Sequence, residues 1–444
     1  MVLNEKRLRE LIQNRAFLLF VAVVAIPALV QLLFILRFGV NVVYCDQWNF
    51  VPIIDKWYSG SLTISDLISQ DAEHRYFFPR IVMLILALVT HYNTVAEMIV
   101  SWIILILTTL IILRIYVRSQ GISVPSALGF LPVTLFLFNF RQHENILWGW
   151  QISYYLAILF FILALFLIER SGQSGLSFCM ALVCAVLSSF SAFFGLFTWV
   201  VCFIFLLILQ RKKELILAWG LAGIITFLLY FWQWQKPVGN PVFFPVASHP
   251  LQGALFFFLN VGAPLSYLYR YALLSGLVIL CLCGIVLWIS RKEGLIRKHA
   301  PWISLLLFSL LTSGAILIGR GGLGDGTALW SRYTTVTVLG VIGMYLMYLD
   351  IFRSCRAEKP VYSCIFILVA VLVMAGALSG YIGGVQEGEN LRIQRVNASE
   401  AILDYKTQPL VLPEMNLFAD PEFIPGQVQK LDKYHLSVFY RPGL

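Results

Sequence analysis

The sequence predicts an all-α polytopic membrane protein, and three observations carry that expectation. Of its 444 residues, 59% are hydrophobic, 15% aromatic and only 12% charged, with a mean hydropathy of +0.83. A water-soluble core cannot hide that much apolar surface, whereas a bilayer accepts it. The apolar residues fall in runs of the length a helix needs to cross a hydrocarbon layer. The basic residues are also shared unevenly between the connectors, which is how helices are oriented in membranes.

Taken in order, the candidate spans are residues 17–36, 94–113, 124–140, 152–168, 176–190, 192–209, 215–232, 271–290, 300–318, 334–352 and 361–381, about eleven crossings. The first reads as a retained anchor, because its apolar core is long for a leader and no small-x-small cleavage site comes before Arg37. Phe77–Thr90 is apolar but, at about 14 residues, short for a span. It is expected to lie along the outer surface or to be re-entrant. With that segment set aside, Lys6, Arg7, Arg9, Arg15, Arg114, Arg118, Arg170, Arg211–Lys213, Arg291, Lys292, Arg297, Lys298, Arg353, Arg356 and Lys359 share one face. They make up more than half of the 32 Lys and Arg residues, so that face is expected to be cytoplasmic, with the N-terminus on it. Segments 37–80, 141–151, 233–270, 319–333 and a small tail from about 382 are expected on the other face. Residues 1–381 then form the membrane domain and 382–444 the tail. The +9 charge reports this topology and does not point to nucleic acid. The eight cysteines lie mostly inside apolar runs, where the thiol behaves as a small hydrophobe, without the spacing of zinc ligands.

The chemistry-bearing residues concentrate in the outer segments. The first loop carries Asp46-Gln47-Trp48 just past the first span, then Glu73-His74-Arg75 before Pro79-Arg80. Ionisable groups at a membrane boundary are expensive and usually have a task. Asp46, Glu73 and His74 are the candidates for acid–base work, with Trp48 as a stacking surface. Arg75 suits a phosphate, which a guanidinium grips as a fork. The turn Arg141-Gln142-His143-Glu144-Asn145…Trp148-Gly149-Trp150-Gln151 mixes amides, a carboxylate and indoles, a mixture suited to sugar hydroxyls and ring faces. Its candidate sugar ligands are His143, Glu144, Asn145, Trp148 and Gln151. Arg320-Gly321-Gly322-Leu323-Gly324-Asp325-Gly326…Ser331-Arg332-Tyr333 lacks the GxxxxGK[ST] pattern of a nucleotide loop. It offers Arg320, Arg332 and Tyr333 around an anion instead. His91 and Glu97 read as interfacial caps.

These features resemble the GT-C superfamily of integral-membrane glycosyltransferases, particularly bacterial enzymes that use polyprenyl-phosphate sugars. The resemblance rests on the acid after the first span (YCDQW), the charged, proline-bearing end of the first loop (EHRYFFPR) and the short apolar helix following it. FNFRQHENILWGWQ, SFSAFFGLFTW and GRGGLG…SRYTT add to it, so it covers most of residues 1–381. It implies a sugar donor on a polyprenyl phosphate, a glycan or lipid acceptor, and a bacterial inner membrane with the C-terminus in the periplasm. Gln47 follows Asp46, so no Asp-x-Asp pair supports a divalent metal, and no other cofactor is implied. The other classes weighed are a lipid-linked sugar transporter or flippase and a membrane O-acyltransferase. The first would show repeat symmetry and charges in mid-membrane; the second would use His74 or His143.

Overall fold

The computed structural model describes residues 15–172, 174–236, 243–355, 359–407 and 422–441. The amino-terminal cluster Lys6, Arg7 and Arg9, the connector residue Arg356 and tail residues 408–421 lie outside the described residues. The described chain is helical, with no β-strand and a single isolated bridge between Asp71 and His74. Nine of its helices are long and apolar enough to cross a bilayer, and four shorter apolar helices accompany them. This is a multi-pass helical membrane protein. Nine of the eleven expected spans coincide with the long helices. The other two, 176–190 and 192–209, correspond to the shorter Gly175–Ser189 and Phe193–Ile208.

The two ends of the bundle differ chemically among the described residues. At one end Arg118 Nη1 meets Glu169 at 2.9 Å, Arg353 donates to Gln120 at 2.8 Å, and Lys359 meets Glu293 at 2.5 Å. Arg211 caps the carbonyl oxygens of Ile168 and Glu169 at a helix end. Asp350 is buried here inside a span, between His299 Nε2 at 2.9 Å and Lys298 Nζ at 2.7 Å. Partnered in this way, its charge is not stranded in hydrocarbon.

At the other end the polar loops interlock. Arg141 donates to the carbonyls of Ala263 (2.9 Å) and Leu329 (2.7 Å), and Trp148 Nε1 to that of Tyr44 (3.1 Å). Segments 37–80, 141–151, 233–270 and 319–333 therefore meet. Phe77–Thr90 starts and finishes at this end. Near its start Phe78 N reaches Phe190 O (3.4 Å), and just past its finish His91 O accepts from Ser437 N (2.8 Å). This agrees with a segment that does not cross. Pro250–Gly262 is a second such helix, unanticipated from the sequence. The chain enters it from Phe244, whose N–H binds Ile318 O at 2.8 Å, and leaves it at Ala263, held by Arg141.

The expected boundary near 381 falls inside one uninterrupted helix, Pro360–Leu403. Beyond it, the helix Phe423–Lys433 buries Ile424, Val428 and Leu431 and docks on the first-loop helix Val51–Tyr58. There Tyr434 Oη donates to Asp55 Oδ1 (2.8 Å), Lys430 meets Asp55 Oδ2 (3.3 Å), and the Tyr58 and Tyr434 rings stack 4.6 Å apart. The tail thus braces the loop that carries Asp46.

Candidate active site

Two tight turns of the first loop present its acids. After the first helix ends at Phe38 the chain runs extended to Tyr44, then tightens into a 3-10 turn over Cys45–Phe50. Trp48 anchors that turn in the core, fully buried, and Tyr92 Oη holds the Gln47 carbonyl at 3.2 Å. In the second turn Asp71 and His74 exchange both backbone hydrogen bonds at 2.9 Å, and the Asp71 carboxylate is held by Arg80 (3.3 Å) and Asn49 (3.1 Å). Cys45 and Ala72, directly before Asp46 and Glu73, have φ of +49° and +48°. Left-handed backbone costs a residue with a Cβ about 1–3 kcal/mol, and such strain clusters at functional sites.

Both acids open onto one cavity of about 740 Å³, whose polar wall also includes His74, Gln151, Arg320, Arg332 and Tyr333. Aromatic and aliphatic side chains make up much of the remaining lining, among them Phe193, Phe194, Phe197, Phe231, Leu310 and Leu311. The turn carrying the first two of these packs tightly. A Cβ on Gly195 would lie 1.9 Å from the Ser188 carbonyl oxygen, so only glycine fits.

The two acids have different electrostatics. Glu73 Oε1 pairs with Arg320 Nη2 at 2.6 Å and faces His74 Nε2 at 3.6 Å. Burial pushes its carboxyl up, but the charge of His74, whenever that ring is protonated, and that of the paired Arg320 guanidinium outweigh it and hold the carboxyl below its ordinary value. Asp46 has no ion-pair partner among the described residues. Its side chain accepts from the Cys45 thiol at 3.7 Å, a thiol that burial pushes up to about 12 and so keeps protonated. Burial raises the Asp46 carboxyl above its usual range, with Arg332 pulling the other way. The two carboxyls are thus pushed apart: Asp46 is raised and without an ion-pair partner among the described residues, and Glu73 is the fixed partner of an arginine.

His74 does line the cavity, but its Nδ1 accepts the Phe193 backbone N–H at 2.9 Å. The remaining proton of the neutral ring therefore sits on Nε2, towards Glu73, and burial keeps the ring neutral. Its basic lone pair is taken up by the Phe193 N–H, and its other nitrogen faces Glu73 at 3.6 Å.

The three candidate phosphate arginines separate. Arg320 and Arg332 reach the cavity. Arg75 does not line it: its guanidinium binds the carbonyls of Tyr230 (2.7 Å), Trp232 (2.5 Å) and Ile68 (3.3 Å). A helix end leaves carbonyls unsatisfied, and Arg75 caps them, so it is a structural tie. Arg332 lies over Trp330, 4.3 Å from the ring centroid, and 5.9 Å from that of Trp148. Its backbone N–H binds Glu144 at 2.9 Å, with Nε 3.8 Å from the same carboxylate. Among the described residues its guanidinium makes no hydrogen bond, which leaves a clamped fork available to an anion.

Of the candidate sugar ligands only Gln151 faces the cavity. Trp48 and Trp148 are buried behind its wall, and His143 packs parallel to Tyr267 with ring centroids 6.2 Å apart. Glu144 holds Arg332, and Asn145 donates to Arg332 O (2.8 Å) and Thr335 Oγ1 (2.6 Å). None of these five residues is part of the cavity lining. The sequence reading missed Asp71, Trp150 and Tyr154 in the lining. Glu97 is no interfacial cap either. It is fully buried and accepts from Gln47 Nε2 at 2.7 Å, against Gly149, where a Cβ would come within 2.2 Å of its carboxylate. Among the described residues no three His, Cys, Asp or Glu side chains gather closely enough to hold a metal ion.

No protein-family model matches the chain, and no solved structure matches it either. An uncharacterized protein of Archaeoglobus fulgidus is 22% identical over 246 residues, 48% of this chain and 61% of the archaeal protein. The chain thus matches less than two thirds of that relative's length.

Proposed function

We propose that this protein is an inverting glycosyltransferase of the GT-C type. It would move a sugar from a polyprenyl-phosphate donor to a glycan or lipid acceptor on the periplasmic face of a bacterial inner membrane. One observation carries the reading: a single cavity joins an unpaired acid and two arginines to an apolar aromatic wall within the bundle. A charged head on an isoprenoid tail has that same division. In this scheme Asp46 takes the proton of an acceptor hydroxyl as its oxygen attacks the anomeric carbon. The bond from that carbon to the phosphate oxygen breaks, and polyprenyl phosphate leaves with the electron pair. Arg320 and Arg332 stabilise the charge growing on it, the electrostatic contribution that often dominates such a step. The donor itself is tested by supplying the purified protein with radiolabelled polyprenyl-phosphate hexose and membrane extract as acceptor source. Labelled product and free polyprenyl phosphate are expected; turnover of nucleotide sugars instead would sink the reading.

The same proposal sets an orientation, with about eleven crossings, the basic end cytoplasmic and the loop end and C-terminus periplasmic. Single cysteines introduced at Ser61 and Gly326 in a cysteine-free background are expected to react with an impermeant maleimide from the periplasmic side. Cysteines at Ser119 and Lys212 should react only after the cytoplasmic side is exposed. All four positions are exposed. Labelling of Gly326→Cys from the cytoplasm would overturn the orientation.

A further inference from the structure

Within the cavity, one stretch of wall has hydrogen-bonding capacity that the protein leaves unused. The 3-10 turn Gly149–Gln151 puts Trp150 and Gln151 side by side on the lining, and Tyr154 joins them from the first turn of the following helix. Trp150 and Gln151 are 2% and 3% exposed, yet Trp150 Nε1 and Gln151 Oε1 have no hydrogen-bond partner. Nor does the Tyr154 hydroxyl bond to any described residue. Buried polar atoms are nearly always paired, and each one left unpaired costs about 1–3 kcal/mol. A donor and an acceptor left open on consecutive residues at a cavity wall are therefore informative about what occupies it.

The pair also restricts the ligand chemically. An indole N–H can only donate and an amide oxygen can only accept. With the amide oxygen towards the cavity, a phosphate oxygen serves the indole but carries no proton for the amide, and an isoprenoid chain serves neither. Hydroxyl groups both donate and accept, so adjacent hydroxyls on one ring satisfy both atoms, whichever way round the Gln151 amide lies. The anion-gripping side chains, Arg320 and Arg332, come from other elements, the end of Ile296–Arg320 and the start of Ser331–Cys355.

We infer that the Trp150–Gln151 turn, with the Tyr154 hydroxyl, is the subsite that reads the polyhydroxylated ring and selects which glycosyl group is accepted. This rests on the donor assignment proposed above and divides the cavity between ring and phosphate. The turn is held by what lies behind it. Gly149 packs against the buried Glu97, which also binds Gln47 beside Asp46, so the ring-reading turn and the base share one support.

The experiment compares binding of a long-chain polyprenyl phosphate with that of its pentosyl, hexosyl and N-acetylhexosaminyl esters. Wild type, Gln151→Met and Trp150→Phe would be measured in nanodiscs, with melting temperature followed alongside. Gln151→Met keeps the length and bulk of the side chain and removes only its hydrogen bonds. Wild type should prefer one ester over the others. Each variant should bind that ester about tenfold or more weakly, the factor a single unpaired polar group carries, while binding the bare polyprenyl phosphate as wild type does. Parallel loss of ester and bare phosphate, or unchanged preference among the esters in Gln151→Met, would overturn the subsite and leave the donor assignment standing. Failure of wild type to bind polyprenyl phosphate or any ester would remove the donor assignment and the subsite with it.

Discussion

Asp46→Asn is expected to insert and fold normally but to lose transfer by about two orders of magnitude or more, the loss typical of removing a positioned base. The exchange keeps the shape of the side chain and abolishes its basicity. Its pH behaviour separates this role from a structural one. Burial raises the Asp46 carboxyl above the usual aspartate range, and the ionised form is the base. Wild-type activity should therefore fall as pH drops through that raised value, while the residual activity of Asp46→Asn shows no such step. Linkage gives a second sign. With its pKa higher in the folded state than in the unfolded one, this group binds more protons when folded. Its contribution to stability then declines as pH rises from the unfolded value to the folded one. At neutral pH the ionised carboxylate is thus a cost, and Asp46→Asn should melt no lower than wild type. Wild-type turnover in Asp46→Asn would remove the residue from catalysis.

Arg332→Lys and Arg320→Lys are expected to weaken binding of polyprenyl phosphate by about ten- to a hundredfold, the range for losing a hydrogen bond to a charged group. Lysine keeps the charge but has neither the planar fork nor the flat face. At position 332 that face lies over Trp330 and beside Trp148; at 320 the fork also holds Glu73. Arg75→Lys is the informative control. It should lower thermal stability, because the Tyr230, Trp232 and Ile68 carbonyls lose their shared donor, and leave phosphate binding unchanged. A titration series in which Arg75→Lys weakens the ligand as much as Arg332→Lys does would show that the cavity arginines are not the phosphate site.

The contrast among the three arginines shows where sequence reading stops. All three fall in segments that the sequence reads as outer loops, carry the same charge and adjoin apolar segments, so nothing local separates them. Arg75 is used up because folding brings the frayed end of the helix Lys213–Phe231 beside the first loop. Arg332 is left free because Trp330, Trp148 and Glu144 hold it without consuming its outer donors. The same holds for the indoles of the WGWQ turn. Both are visible in the sequence as indoles of one turn, but Trp148 bonds to Tyr44 and Trp150 lines the cavity, with Gly149 between them seated on Glu97.

By itself, the sequence determined that the chain is a helical membrane protein and roughly where its nine long apolar helices lie. Those properties follow from hydropathy and charge summed over about twenty consecutive residues, and a bilayer responds to such sums. It also singled out Asp46, Glu73, Arg320 and Arg332, because ionisable groups are conspicuous beside so much apolar chain. Only the tertiary structure decided which of these share a cavity. It alone showed that Glu97 and Asp350 are buried with partners, that Pro250–Gly262 starts and ends at the loop end of the bundle, and that the tail grips the first loop through Tyr434 and Lys430. Each of those depends on pairings between residues far apart in the chain, 379 positions apart for Tyr434 and Asp55. No window of local sequence holds both partners of such a pair.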